Sequence, residues 1–241
     1  MKVKIITSAI LIGLTATATA AQATSLNLRH EFQDGKGKAE SQHKDRLLLD
    51  HRFENGIGLS AEVKWANPKG EGFDLGELHD AGHEVVVSYN YKVTDTFTLQ
   101  PAYGADSNTN GITHKFNLKG TQKLSDDWDV ALRYRYGDAN KTEDSGKADS
   151  HYHQLNLTSG YKAGDFKFGL DVEYKFEQSS SSGYKGDENY LNLVSVSTEY
   201  SGLESGWRPF AEFAMVSVDA GSAEGKDDYA PRYRVGLKYS F

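Results

Sequence analysis

The sequence predicts a transmembrane antiparallel β-barrel of about 12 strands, an all-β fold of the outer-membrane type. Three observations predict it: apolar and polar residues alternate along most of the chain, short connections alternate with long polar loops, and aromatic residues concentrate at strand ends. A tilted strand of about 10 residues is long enough to cross a bilayer, and bacterial barrels have an even number of strands.

The first residues predict a removable export signal. Lys2 and Lys4 precede an apolar stretch that is too short and too interrupted by Thr and Ser for a membrane anchor, and Ala21-Gln22-Ala23 has the small-x-small pattern of a cleavage site. Without the first 23 residues the chain holds 241 − 23 = 218 residues, with 25 basic and 34 acidic side chains. The predicted domains are a signal peptide at residues 1–23 and a barrel at residues 24–241.

The composition excludes several classes of protein. The chain has no cysteine, so an exported fold must be held by its own packing and hydrogen bonds. No later run of about 18 apolar residues predicts a spanning helix, and the net acidic charge argues against nucleic acid as a partner. No segment resembles a phosphate-binding loop, a dinucleotide fingerprint, a zinc ligand set or a nucleophile elbow, so we predict no enzyme, no catalytic residue, no cofactor and no metal site.

The strands are recognised by apolar residues that recur at every second position. In the first half these are Leu26, Leu28 and Phe32; Leu47, Leu49 and Phe53; Ile57, Leu59, Ala61, Val63 and Trp65; Val85, Val87, Tyr89, Tyr91 and Val93; Phe97, Leu99 and Tyr103; and Ile112, Phe116 and Leu118. In the second half they are Trp128, Val130, Leu132, Tyr134 and Tyr136; Leu155, Leu157 and Tyr161; Phe166, Phe168, Leu170, Val172, Tyr174 and Phe176; Val194, Val196 and Tyr200; Trp207, Phe213 and Met215; and Tyr233, Val235, Leu237, Tyr239 and Phe241. The parity shifts within "NYLNLVSVSTEYS", which predicts a β-bulge.

The connections between these strands are of two alternating kinds. The short ones are "ENG", "VTDT", "LSDD", "KAGD" and "SGLESG". The long ones are "DGKGKAESQ", "ANPKGEGFDLGELHDAG", "GADSNTNG", "GDANKTEDSGKADS", "QSSSSGYKGDE" and "DAGSAEGKDDY". Short turns on one side and long loops on the other are typical of an outer-membrane barrel.

Aromatic residues flank both sets of connections. Strands are generally rich in aromatic residues, but here the rings cluster at the strand ends, which favours two interfacial belts. Beside the short turns lie Phe53, Tyr91, Phe97, Trp128, Tyr161, Phe166, Tyr200, Trp207 and Phe241; beside the long loops lie Trp65, Tyr103, Tyr136 and Phe176.

The face opposite the apolar residues carries an excess of basic over acidic side chains, although the chain as a whole is acidic. Acids on the same face include Glu31, Glu84, Asp171, Glu173 and Glu212. The excess has two interpretations: a rigid interior in which Arg pairs with Asp and Glu, or an anion pathway. Like-charged neighbours such as Arg133 with Arg135 and Arg232 with Arg234 favour the anion pathway, and the planar fork of Arg suits carboxylates.

Several motifs resemble one known family. The stretches "SLNLRHEFQD", "HKDRLLLDHRFENGIGLSAEVKW", "VALRYRY", "LDVEYKF" and "RYRVGLKYSF" resemble the oligogalacturonate-specific porin family of the KdgM type. The resemblance spans nearly the whole mature chain and implies a monomeric barrel in the bacterial outer membrane with two facing basic tracks in its pore. Basic positions within the matching motifs, which the resemblance marks as pore-lining, are Arg29, Lys44, Arg46, Arg52, Lys64, Arg133, Arg135, Arg232, Arg234 and Lys238.

The resemblance also implies function and partners. Acidic oligosaccharides would diffuse passively into the periplasm, and the partners would be these sugars, outer-membrane lipid and the outer-membrane assembly machinery, whose signal the terminal Phe241 resembles. The middle loops match poorly, so the substrate stays open between oligogalacturonate and a related oligouronate such as oligoalginate. The alternative function is a general or structural small barrel without sugar specificity.

Overall fold

The computed structural model describes residues 23–37, 39–179, 188–218 and 228–241. Within them the chain forms thirteen strands and two short 3₁₀ turns, at Leu75–Glu77 and Glu143–Ser145. The strands are β1 (Ala23–Gln33), β2 (Gln42–Arg52), β3 (Ile57–Ala66), β4 (His79–Tyr89), β5 (Tyr91–Lys92), β6 (Phe97–Asn108), β7 (Gly111–Lys123), β8 (Trp128–Lys141), β9 (Ser150–Ala163), β10 (Phe166–Ser179), β11 (Glu188–Tyr200), β12 (Trp207–Val218) and β13 (Asp228–Ser240). None of the described helical segments is long and apolar enough to cross a membrane.

The strands close into one antiparallel barrel, which confirms the predicted fold class. Strands β4 and β5 pair with different parts of the same neighbour, β6, and together occupy one position in the wall. The thirteen strands therefore form a barrel with 12 strand positions. The wall closes where β1 pairs with β13, from Ser25 opposite Ser240 to Gln33 opposite Arg232. The backbone N–H of Phe241 donates to the carbonyl of Thr24 at 2.9 Å, which extends the closing ladder to the last residue. Closure leaves no exposed sheet edge.

The period-two pattern separates an apolar outer wall from a charged inner wall. Leu28, Val87, Leu132, Leu170 and Leu237 are exposed on the outside. The predicted outward residues Leu47 and Val63 share that face, because Leu28 lies opposite Leu47 and Leu47 opposite Val63. Arg46, Arg133 and Arg234 take the other face, as predicted from their parity.

The predicted bulge lies in β11. The register moves from Glu173 opposite Leu193 to Tyr174 opposite Leu191, so Asn192 is the extra residue. Leu193 points inward and is 6% exposed, whereas Val196 faces outward. Before the bulge, Leu191 lies opposite the outward Tyr174, so the outward parity is odd there and even after it, which explains the parity shift in the sequence.

The connections alternate between short and long as predicted, with one exception. The segment "GADSNTNG" was predicted as a long loop but is mostly strand, and only Thr109 and Asn110 separate β6 from β7. Polar residues continue the ladder here, with Asp106 opposite Thr113. Gly111 closes the turn with a φ of 141°, a conformation that side chains rarely adopt. Most of the predicted export signal and most of the loops at residues 178–188 and 219–229 lie outside the described residues.

Aromatic rings contact one another at both ends of the wall. Beside the short turns, the ring centroids of Phe166 and Tyr200 lie 5.0 Å apart, and those of Tyr239 and Phe241 lie 4.9 Å apart. Towards the long loops, Phe116 lies between Tyr103 at 5.3 Å and Tyr136 at 6.4 Å. Amphipathic rings favour the headgroup level of a bilayer, so these rows fit two interfacial belts.

Candidate functional site

The charged face is the inside of the barrel. The Lys64 ammonium reaches across β4 to the Asp106 carboxylate at 3.2 Å, and Lys115 reaches back across β6 to Glu84 at 3.1 Å. Side chains from next-nearest strands converge only on the concave side of a curved sheet. All the basic residues predicted from the sequence as pore-lining lie on this inner face: Arg29, Lys44, Arg46, Arg52, Lys64, Arg133, Arg135, Arg232, Arg234 and Lys238.

Glu31 is the centre of the first ion cluster on this face. Its carboxylate lies 2.6 Å from Arg234 Nε, 3.6 Å from Arg29 Nη2 and 3.8 Å from Lys44 Nζ. The register causes this, because β1 places Glu31 between Arg234 on β13 and Lys44 on β2. Three cations therefore share one acid that is 5% exposed.

The arginine pair of β13 shares a second acid. Glu212 Oε1 accepts from Arg232 Nη2 and from Arg234 Nη1, each at 2.9 Å. From the sequence, Arg232 and Arg234 were expected to be like-charged neighbours without acidic partners. The structure shows that Glu31 on β1 and Glu212 on β12 pair with them. This part of the lumen has the paired character expected of a rigid interior.

A third cluster runs along the wall from β2 to β7. Glu62 lies 3.1 Å from Arg46 and 3.4 Å from Lys64, and Asp106 lies 3.2 Å from Lys64 and 2.7 Å from Lys115. Asp106 belongs to the segment predicted as a loop, which explains why sequence reasoning did not assign it to the lumen. On β13, Lys238 pairs in the same way with Glu199 of β11.

Arg133 and Arg135 interact mainly with amides. Arg133 Nη2 donates to Asn156 Oδ1 at 2.8 Å and lies 3.8 Å from Glu173, while Arg135 Nε donates to Asn117 Oδ1 at 2.7 Å. An amide oxygen orients a guanidinium without neutralising its charge. These two arginines therefore keep more of their positive field than the Arg232–Arg234 pair.

Several inward cations have no carboxylate within 4 Å in the described part of the chain, among them Arg135, Lys123 and Lys162. Arg52, Lys119 and Lys167 share this property, and we call these three the unpaired cation group. Each lies towards the short-turn end of its strand. Lys119 is repelled by Arg133, Arg52 and Lys167 and attracted by Asp129, which places these charges in one region of the lumen.

Sequence reasoning found only part of this group. Arg52 was predicted as pore-lining, whereas Lys119 and Lys167 were not. The signal for Lys167 is its position between Phe166 and Phe168 in an alternating strand, since two outward aromatic residues leave the residue between them facing inward.

An apolar outer wall, a closed antiparallel barrel and a charged lumen define an outer-membrane porin. Residues 17–241 match the family model described as oligogalacturonate-specific porin protein (KdgM). The chain belongs to this family. It is 34% identical to the oligogalacturonate-specific porin KdgM of Dickeya dadantii (strain 3937), with 100% of each chain covered.

Solved structures agree with the family. A KdgM porin structure superimposes with a TM-score of 0.64 at 32% identity, covering 90% of this chain and 99% of that chain. A structure of the KdgM porin in complex with disordered oligogalacturonate gives a TM-score of 0.63, with the same identity and coverage. The NanC porin shares the fold, with a TM-score of 0.69 at 17% identity over 90% of this chain and 100% of that chain.

Proposed function

We propose that this porin lets acidic oligosaccharides, oligogalacturonate first among them, diffuse passively from the medium into the periplasm. The relative from Dickeya dadantii is named for oligogalacturonate, and this chain covers its full length. A related oligouronate such as oligoalginate presents the same carboxylates and is the second candidate. The proposal assigns passage through a pore and no catalysis, with the chain acting as a monomer in outer-membrane lipid after insertion by the assembly machinery.

The unpaired cation group is the observation that carries the proposal. A cation that already touches a carboxylate has little attraction left for a passing anion, whereas Arg52, Lys119 and Lys167 have no such partner among the described residues. At about 4 Å, two unit charges interact by roughly 1 to 4 kcal/mol between the dielectric constants of water and of a protein surface. That range is strong enough to attract a carboxylate and weak enough to release it.

The arginines on β8 extend this region towards the long loops. Arg133 lies opposite Lys119 in the register, and Arg135 lies opposite Asn117 one step further along the same face. A uronate chain presents carboxylates at intervals, so successive cations along one wall suit it. We assign Arg133 and Arg135 to the pathway, and the paired Arg29, Arg232 and Arg234 to the scaffold that holds the lumen open.

The test compares unpaired with paired cations of the same face. In planar bilayers, block of the ion current by a galacturonate trimer should weaken about tenfold or more in the Lys119→Gln/Lys167→Gln double variant. The matched control Lys64→Gln removes a lumen charge that is held by Glu62 and Asp106, and it should change block much less.

Two results would contradict the proposal. Equal block in the parent and the double variant would show that the unpaired cations do not contact the sugar. Equal block of the parent by a neutral trisaccharide and by the galacturonate trimer would favour a general barrel without sugar specificity.

A further inference from the structure

The outer wall carries a groove that the transport function does not use. It has a volume of about 490 Å³ and crosses β13, β1, β2 and β3. Leu28, Val235 and Leu237 give it apolar walls, and Trp65 flanks it. His30 and Asp45 also line it and lie nearer the long loops, because His30 follows Leu28 by two residues on β1 and pairs with Asp45. The groove is therefore apolar along its length and polar at one end.

The polar end holds the carboxylate of Asp45, whose side chain is partly exposed but has one oxygen without a hydrogen-bond partner among the described residues. Asp45 Oδ1 lies 2.9 Å from His30 Nδ1, and Asp45 Oδ2 is buried with no hydrogen-bond partner among the described residues. His30 is held in place, since its Nε2 lies 3.2 Å from His43 Nδ1 and the edge of Phe73 packs against its ring at 4.9 Å. A buried acceptor without a donor is costly, so a small rotation of this partly exposed carboxylate towards an N–H or O–H group in the groove would be favourable.

The carboxylate lies near the long-loop end of the wall, at the level where we expect the interfacial belt. Strand β1 ends at Gln33, three residues beyond His30. At a rise of about 3.3 Å per residue and a tilt of about 45°, His30 lies roughly 7 Å below the end of the strand. The belt residue Trp65 lies opposite Asp45 at the same level, where amphipathic rings favour the interface.

We propose that the groove binds one acyl chain of an outer-leaflet lipid whose headgroup donates a hydrogen bond to Asp45 Oδ2. The polar end is on the long-loop side, which faces the medium in barrels of this type. The outer leaflet there contains lipopolysaccharide, whose acylated glucosamines place amide N–H and hydroxyl donors directly beside their acyl chains. The lipid A part of lipopolysaccharide is the occupant to which the geometry points.

The same wall offers two internal controls. A second groove of about 470 Å³ has walls of Phe97, Leu99, Leu118, Val130, Leu132 and Leu157 and no charged residue. Asp138 is a second outward acid, placed by the register between His114 and His151, and it lines neither groove. Changing Asp138 therefore removes an outer-wall carboxylate without touching the proposed site.

The experiment is native mass spectrometry of the full folded chain in detergent, titrated separately with lipid A, phosphatidylethanolamine and phosphatidylcholine. The parent should form a one-to-one complex with lipid A and bind phosphatidylcholine, which has no donor, more weakly. Asp45→Leu should weaken lipid A binding about tenfold, the size expected for a lost hydrogen bond to a charged group, and leave phosphatidylcholine unchanged. Leu28→Trp should fill the groove and weaken both lipids, and Asp138→Leu should match the parent.

Heat-modifiable migration in gels shows that each variant is folded before titration. The proposal is overturned if the parent forms no discrete lipid A complex, or if Asp45→Leu binds lipid A as tightly as the parent does. Tighter binding of phosphatidylethanolamine than of lipid A would overturn lipopolysaccharide as the occupant. Loss of binding in Asp138→Leu would overturn the location.

Discussion

Glu31→Gln should lower stability and raise anion selectivity at the same time. The substitution keeps the shape of the side chain and removes the charge that Arg234, Arg29 and Lys44 share at 2.6, 3.6 and 3.8 Å. With an effective dielectric constant of about 20, these contacts correspond to roughly 6, 5 and 4 kcal/mol before the cost of desolvation. Because desolvation offsets most of this energy, we expect a net loss of about 3 to 5 kcal/mol, as when one partner of a buried pair is removed.

Two measurements check the prediction. Urea unfolding in lipid vesicles should show the lower unfolding free energy, and reversal potentials in a salt gradient should move towards anions because the lumen loses one negative charge. The matched control is Glu71→Gln, which removes the same charge from the exposed β3–β4 loop and should leave stability unchanged. A Glu31→Gln barrel within about 1 kcal/mol of the parent would refute the view that Glu31 holds the cluster together.

Three further predictions follow from the wall, the turns and the lumen. The anion preference, measured as a reversal potential, should fade between 0.1 M and 1 M salt, because the screening length falls from about 10 Å to about 3 Å. A preference that persists at about 1 M salt would mean that close contacts alone select the ion. Leu132→Arg puts a charge on the outer wall and should lower the free energy of unfolding in urea by about 2 to 4 kcal/mol. The control Leu75→Arg, in the exposed loop, should lower it little. Equal effects of the two substitutions would contradict the lipid-facing assignment of Leu132. Gly111→Ala should cost about 1 to 3 kcal/mol, because φ is 141° and a Cβ would collide with the Asn140 carbonyl oxygen. Gly72→Ala, with open space around it, is the control, and an unchanged stability of Gly111→Ala would show that the turn relaxes.

The fold could be predicted because a barrel wall repeats every two residues. In the stretch Leu132, Arg133, Tyr134, Arg135, each residue takes the face that its parity predicts. Only this arrangement keeps the charged side chains of the strand away from lipid. The same rule predicted the inward face for every basic residue within the family motifs. Even the irregular strand β11 was recognised from its parity shift.

The pairing of charges could not be predicted in this way. Lys64 meets Asp106 across an intervening strand and 42 positions along the chain, which depends on the curvature and closure of the wall. The residues where β6 ends and β7 begins are mostly polar, and this composition predicted a loop. Asp106 was therefore not assigned to the lumen. The outward Asp45 has no signal beyond its parity, because its partner His30 is fixed by the register of two strands and by Phe73 from a distant loop.

The division of the lumen into paired and unpaired cations suits a diffusion pore under the proposed function. If every inward base were free, like charges would repel one another along the whole wall, and a polyanion would bind at many points and leave slowly. If every base were paired, the lumen would be rigid but would offer little attraction to a carboxylate. Acids such as Glu31 and Glu212 neutralise the bases near the long loops, while Arg52, Lys119 and Lys167 keep their field near the short turns. An acidic sugar would therefore meet its strongest attraction close to the periplasmic exit. The attraction itself gives no direction to diffusion, so net movement is inward only while the sugar is more concentrated outside.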